Sequence, residues 1–482
     1  MESLTQKAVA GARWLTLSTI FATLISFLQN VGLARMLDQR EVGLVGMLWA
    51  VLGLAQVFND MGLSNAIIQK KDTSDKQLSS VYWVNLLAGC GVALLVYMAS
   101  PLMVAFYHEG DLLPLVPWAA LSFIALAIGQ PFQAVAQKHL RFSSLAAADI
   151  AASTAACTVA LTMAAYGFGA ISMIFGSLSG AVVRSLVLIL LTHKIFLPQL
   201  YWNTGEIRGM LHFGYFQMAD KLMNFLGSNL DYLLVGRFLG PEAVGIYRMA
   251  YETAVRPLST INPIYNAVAY PIFSRQQDQN DSLQRGLLEG LRVVVTIVFP
   301  MMAGLAMTAD LVIPLMYGDK WTMVVPVLRI LCILGALRSI VNLAGSILLS
   351  KGLVKRSFWL NAFNVFLFAG TYTWTAQMGL IPLAWSANIL LVTIAVVTWP
   401  WIYGKTIGLD WRQYVLVLVK PAVFSLLMAW FLHILIGTGW LHGRPAVELS
   451  WRVLAGALVY LSLMAAFDRT NLRRIAGIFF RR

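Results

Sequence analysis

Leu33-Ala34-Arg35-Met36-Leu37-Asp38-Gln39-Arg40-Glu41-Val42-Gly43-Leu44 returns later in the chain as Val235-Gly236-Arg237-Phe238-Leu239-Gly240-Pro241-Glu242-Ala243-Val244-Gly245-Ile246. The offset is 202 residues, and an arginine, a leucine, a valine and a glycine coincide in place. Each copy joins two apolar runs of roughly 20 residues, the length that crosses a hydrocarbon core of about 30 Å as a helix. A second echo follows in the same order at a slightly larger offset. Lys138-His139-Leu140 and Lys351-Gly352-Leu353 each come after an apolar run. Two matches in order predict that six spans are duplicated as six, with both halves in one orientation. Parallel repeats of this kind occur in transporters that rock two lobes about a central site.

The rest of the chain has the same character. Of its 482 residues 59% are hydrophobic and only 12% charged, and the mean hydropathy is +0.72. A soluble domain carries about twice that charged fraction. Backbone polar groups in lipid must be satisfied within the segment, so many runs of this length mean a helix bundle and not a barrel. The expected fold is an all-α polytopic membrane protein of about 14 transmembrane helices. They lie near 14–34, 42–66, 80–100, 114–136, 145–166, 168–192, 211–235, 243–270, 290–308, 324–349, 357–377, 380–403, 414–436 and 451–467. The expected domains are a six-helix lobe 1–200, a second six-helix lobe 201–410, and a segment 411–482 with two extra helices and a basic tail. The first run is too long for a signal-peptide core and no small-residue cleavage site follows it, so it reads as a retained helix.

Lysine and arginine outnumber aspartate and glutamate by 35 to 22, a net charge of +13. With the N-terminus inside, the cytoplasmic segments hold 23 of the basic residues, and the outer segments hold only Arg35, Arg40, Arg237, Lys320, Arg444 and Arg452. The positive-inside rule then puts both termini in the cytoplasm. These cations sit in short loops, without aromatic interleaving on a soluble domain, which argues against nucleic acid as a partner. Cys90, Cys157 and Cys332 all lie in apolar runs, with neither a disulfide framework nor metal-ligand spacing. No metal and no cofactor are expected.

Charges within the spans carry the functional reading, because a charge in hydrocarbon usually faces a cavity or a partner. In the seventh span Gln217, Lys221, Asn224, Ser228 and Asp231 alternate steps of four and three, which makes one helical stripe. Asp220 sits beside it. The first span offers Thr16, Thr19, Thr23, Ser26 and Asn30, and the repeat maps Thr19 onto Lys221 and Ser26 onto Ser228. Such faces either line a cavity or hydrogen-bond between helices with no ligand. In the eighth span Arg248, Glu252 and Arg256 stand at i, i+4 and i+8, on one face over about 12 Å of rise. They form either an ion-pair staple or a site whose surplus positive charge meets a bound anion. Arginine suits phosphate because its donors are planar and bidentate. The tenth span adds Arg338, Asn342 and Ser346 on one face, plus Arg329, and the fourth carries Gln130, Gln133 and Gln137. Arg184, near the inner end of the sixth span, is expected to snorkel to the interface. Taken together, Lys221, Arg248, Arg256 and Arg338 favour an anionic substrate. Asp60 and Asp220 are the candidates for ion coupling, although Asp60 equally suits a local cap or pair.

Several motifs resemble a family. Asp60-Met61-Gly62-Leu63-Ser64-Asn65-Ala66-Ile67-Ile68-Gln69 resembles the D-x-G-L-x-x-A-I-I-Q end of the second helix in polysaccharide exporters. Asn229-Leu230-Asp231-Tyr232-Leu233-Leu234-Val235-Gly236-Arg237-Phe238-Leu239-Gly240 is similar to their seventh-helix signature. Gly245-Ile246-Tyr247, Tyr270-Pro271-Ile272-Phe273-Ser274-Arg275, Tyr317-Gly318-Asp319-Lys320-Trp321 and Pro326-Val327-Leu328 are similar too. The resemblance runs from about residue 5 to 420. It points to the Wzx-type branch of the multidrug/oligosaccharidyl-lipid/polysaccharide exporter superfamily, nearest the colanic-acid exporters. It implies a two-lobe bundle whose V-shaped cavity opens alternately to each side of the bacterial inner membrane. The implied substrate is an undecaprenyl-pyrophosphate-linked oligosaccharide, the implied motor an ion gradient or none, and a further implied partner the polysaccharide polymerase machinery. No bond is made or broken, so no catalytic residue is expected. Related lipid flippases place cations in the cavity. The expected lining here is Lys221, Asn224, Asp231, Arg248, Glu252, Arg256 and Arg338. The last two spans look least like the family; in related flippases such added helices form a groove for the lipid tail.

Three other functions compete. A multidrug or cation antiporter of the same superfamily would carry an acidic, aromatic cavity, against the surplus of in-span cations. A membrane glycosyltransferase would place a carboxylate such as Asp38 in an outer loop, but it would need a large outer domain, and the repeat matches Asp38 to Gly240. A passive scaffold would need no stripes of charge within the membrane.

Overall fold

A computed structural model describes residues 4–60, 67, 73–255, 258, 279–351, 353–438 and 444–473, and every regular element among them is helical. The chain divides by its contacts into two compact units, Met1–Gly245 and Ile246–Arg482.

The first unit contains α1 (Leu4–Met36), α2 (Gln39–Asp60), α3 (Asp75–Met98), α4 (Val116–Lys138), α5 (Phe142–Ala165), α6 (Ile171–Thr192) and most of α7 (Thr204–Ala254). A short helix, Ser100–Tyr107, follows α3. Side-chain caps and small residues shape these elements. The Ser74 hydroxyl accepts the Gln77 N–H at 3.2 Å and starts α3. Helix α5 is alanine-rich and packs against both α1 and α6, while α4 packs against α3 and α6. Lipid gives helices no hydrophobic reason to associate, so close backbone approach and hydrogen bonds between helices must supply it. Both are present. Asn85 donates to the Ala127 carbonyl at 2.9 Å, and the Ser185 hydroxyl donates to the Ala125 carbonyl at 2.6 Å.

Helix α7 kinks at Gly240, with φ 84° and ψ 179°. That backbone suits glycine, and Pro241 follows with no N–H to offer the ladder. Under the 202-residue offset Gly240 matches Asp38, which lies in the break between α1 and α2. The two copies thus break the helix at the same point of the repeat with different residues, Asp38-Gln39 in the first and Gly240-Pro241 in the second.

The second unit contains the end of α7, then α8 (Asn280–Tyr317), α9 (Val324–Ser350), α10 (Val354–Ala376), α11 (Leu380–Trp399), α12 (Trp411–Gly437) and α13 (Pro445–Phe467). Helix α8 is its hub and packs against α9, α12 and α13. A π-helical turn, Pro400–Gly404, leads out of α11, and the Asp410 carboxylate caps α12 by accepting the Arg412 N–H at 3.1 Å.

Eleven stretches of the described residues are long and apolar enough to cross a membrane, which makes this a multi-pass membrane protein. The remaining predicted spans, 211–235, 243–270 and 357–377, fall on α7, on α7 with residues outside the described set, and on α10. Helix α7 is less apolar because it carries the in-span charges.

Candidate functional site

In the second unit the end of α7 brings aromatic and charged side chains together. Tyr247 and Arg248 are buried, Arg248 at 8% exposure, and Tyr251 and Glu252 are half-buried. Arg248 and Glu252, four residues apart, lie one turn apart on the helix. Arg338 on α9 donates to the Tyr251 hydroxyl, and its guanidinium carbon lies 5.3 Å from the centre of the Tyr251 ring. Tyr247 and Tyr251 hold their rings 6.1 Å apart. A phenol and a ring face orient a guanidinium without cancelling its charge. Arg248, Glu252 and Arg338 therefore belong to one region of this unit, with Tyr251 as a member that the sequence reading does not select. Its signal was the i, i+4 pair Tyr247 and Tyr251, each one residue ahead of Arg248 and Glu252.

In the first unit Lys221 is half-buried on α7, and Asp231 is 3% exposed with its Oδ1 accepting the Tyr232 N–H at 2.9 Å. Arg256 lies outside the described residues, as do the side chains of Asp60, Gln217, Asp220, Asn224, Asn342 and Ser346. On α1 the predicted stripe is exposed at Thr16, Thr19 and Thr23, and the hydroxyls of Thr19 and Thr23 donate back to the carbonyls of Leu15 and Thr19, each at 2.7 Å.

A second polar site joins the two copies of the repeat. Arg40, at the start of α2, reaches Glu109 at 2.6 Å, Asp111 at 3.0 Å and Glu242 at 3.2 Å. Glu242 is the residue that the repeat aligns with Arg40 itself. Beside it, a Cβ on Gly43 would lie 1.7 Å from the Pro241 carbonyl oxygen, and a Cβ on Gly245 would lie 2.1 Å from that of Gln39. These contacts are reciprocal under the offset, since 43 maps to 245 and 39 to 241. Such backbone proximity admits only glycine. Arg237 donates to His108 nearby, and the Tyr107 hydroxyl donates to the Met47 carbonyl at 3.3 Å.

Two further arginines are paired inside the bundle. Arg184 does not snorkel: it holds Asp149 and Gln133, each at 2.9 Å. A carboxylate on α5 and an amide from the glutamine stripe on α4 offer better partners than the distant interface. Arg452 on α13 is 4% exposed and binds both oxygens of Asp310, at 2.9 and 3.1 Å, and also Glu448. It stands on the wall of an apolar groove of about 600 Å³ between α8, α12 and α13, lined by Pro300, Met301, Met428, Leu432, Gly456 and Tyr460 among others. Among the described residues no cluster of three His, Cys, Asp or Glu side chains has a metal-binding arrangement.

The profile of a family described as "Polysaccharide biosynthesis protein" matches residues 32–326. This chain belongs to that family. Among its relatives is the "Lipopolysaccharide biosynthesis protein WzxC" of Escherichia coli (strain K12), 33% identical over 88% of this chain and 86% of the relative. The "Teichuronic acid biosynthesis protein TuaB" of Bacillus subtilis (strain 168) is also 33% identical, over 98% of both chains. Among solved structures, "Lipid II flippase MurJ, inward closed conformation" superposes with a TM-score of 0.76 at 15% identity, over 94% of this chain and 98% of that one. At that identity the likeness speaks for the fold alone. Within its second unit the chain thus brings the guanidinium groups of Arg248 and Arg338 and the phenol of Tyr251 into one region.

Proposed function

We propose that this protein is a flippase that carries an undecaprenyl-pyrophosphate-linked oligosaccharide repeat unit across the bacterial inner membrane by alternating access, for polysaccharide export. The observation that carries this reading is the placement of Arg248, buried, and Arg338 within predicted spans, with the Tyr251 hydroxyl hydrogen-bonded to Arg338. A pyrophosphate that leaves the headgroup layer loses its water, and fixed donors must replace it. Guanidinium groups provide those donors in the bidentate form that phosphate oxygens accept. The proposed lining is Lys221, Asn224, Asp231, Arg248, Glu252, Arg256 and Arg338. The groove at α12 and α13 provides an apolar channel of the kind a polyprenyl tail requires. Both termini face the cytoplasm in this reading, which the charge asymmetry supports. Lobes 1–200 and 201–410 are the moving parts, Asp60 and Asp220 the candidates for ion coupling, and the polymerase machinery the partner that takes the product. The protein acts as a carrier and changes no covalent bond. The reciprocal glycine contact and the Arg40 cluster form the closure on the outer side, and they part when the cavity opens outward.

The test is complementation of a deletion strain. Arg248→Ala and Arg338→Ala variants should insert at normal abundance and lose most polysaccharide export. Normal export by a stable Arg248→Ala/Arg338→Ala double variant would overturn the anion-site reading.

A further inference from the structure

We infer that the second unit carries a binding site for one anionic phospholipid where α9, α11 and α12 meet the π-helical turn. The stretch responsible is Trp399-Pro400-Trp401-Ile402-Tyr403-Gly404-Lys405-Thr406-Ile407-Gly408-Leu409-Asp410-Trp411-Arg412-Gln413-Tyr414. Its tryptophans and tyrosines mark a membrane interface, where amphipathic rings settle at headgroup level. Pro400 brings no N–H to the helical ladder, and the turn it opens, Pro400–Gly404, is π-helical. Beyond this turn the chain doubles back into α12, so Tyr414 comes to face Trp399 and Tyr403. The ring centres lie 6.3 Å apart for Trp399 and Tyr403, 6.3 Å for Trp399 and Tyr414, and 5.3 Å for Tyr403 and Tyr414.

These three rings wall a groove of about 410 Å³, whose other lining is almost wholly apolar and includes Ile340, Ala395 and Val415. Val392, Val396 and Val415 on the lining are exposed, so the groove is open on the surface that meets lipid. An acyl chain fits such walls and a sugar does not. The wall also makes a polar demand: the Trp399 Nε1 is buried with no acceptor among the described residues. A buried donor without a partner is costly, and the ester carbonyl of a glycerolipid brings an acceptor at the base of its acyl chain.

The rim selects charge. Lys405 Nζ lies 3.8 Å from the centre of the Trp401 ring, and the Arg412 guanidinium lies 5.8 Å from that of Trp411. Arg356 reaches the Thr406 hydroxyl at 3.5 Å. Against these three cations stands Asp410, whose carboxylate is engaged at the α12 cap. The surplus is positive, and it favours a lipid with net negative charge over a zwitterionic one. This site is distinct from the groove at α8 and α13, and it regulates or stabilises the protein whatever the cargo.

The experiment uses native mass spectrometry of the full-length, delipidated protein. It is titrated with phosphatidylglycerol and with phosphatidylethanolamine of identical acyl chains. The first phosphatidylglycerol should bind about tenfold or more tighter than the first phosphatidylethanolamine. Lys405→Ala/Arg412→Ala should abolish that preference, and Ala395→Trp, which fills the groove, should remove the tight adduct altogether. Thermal unfolding of each variant confirms that it is folded, and Lys405 and Arg412 are solvent-side residues whose loss leaves the core intact. Equal binding of the two lipids to the unaltered protein would overturn the proposal. So would a preference that survives the double substitution, or a tight adduct that survives in a folded Ala395→Trp variant.

Discussion

Arg338 illustrates how far single residues were legible. An arginine in the middle of an apolar run stands out by rarity alone, and the sequence singled out Arg248 and Arg338 on that ground. Tyr251 did not stand out, because tyrosine is ordinary in a membrane span; only the fold places it beneath the Arg338 guanidinium. Arg184 misled for a related reason. Its partner Asp149 sits in an alanine-rich run, and no spacing rule links the two. If Arg338 holds phosphate as a planar fork, lysine is no substitute. Arg338→Lys should lower transport by about tenfold or more, the worth of one charge-assisted hydrogen bond, at unchanged abundance. Tyr251→Phe keeps the ring and removes only the hydroxyl, and should cost several-fold at most. Export rates in a complemented deletion strain measure both. Equal rates for Arg338→Lys and the unaltered protein would show that charge alone suffices.

At the scale of elements the helix places were written in the length of apolar runs, and the break at Gly240 in the repeat. The contact that the repeat makes was not written there, since an alignment of Arg40 with Glu242 says nothing about which pairs touch. The reciprocal glycines give a matched forecast. Gly43→Ala and Gly245→Ala each drive a methyl into a backbone carbonyl, and each should destabilise the protein by about 1–3 kcal/mol. Gly91→Ala meets nothing within 4 Å and should be neutral or stabilising by up to about 1 kcal/mol. Thermal unfolding in detergent compares the three; a Gly43→Ala variant as stable as Gly91→Ala would mean that the contact is not made. Helix α13 supplies a second case. Arg452→Ala leaves Glu448 without its cation and Asp310 with only Arg329, at 3.7 Å, and should destabilise by about 1–3 kcal/mol. Asp310→Asn on that background should restore part of the loss, and no restoration would place the cost in lost packing instead.

For the whole molecule, composition sufficed to establish a polytopic helical membrane protein, and motif likeness to establish its family. The location of a cavity was not legible, because a stripe of polar residues looks the same whether it faces a ligand or another helix. The central claim is that the protein moves a lipid-linked glycan from one leaflet to the other. The direct measurement labels that glycan from outside intact spheroplasts with a membrane-impermeant reagent, with and without the protein. The account predicts that the lipid-linked repeat unit accumulates in the deletion strain and is shielded from the reagent, and that restoring the protein exposes it. An outward-labelled fraction that is the same in both strains would contradict it.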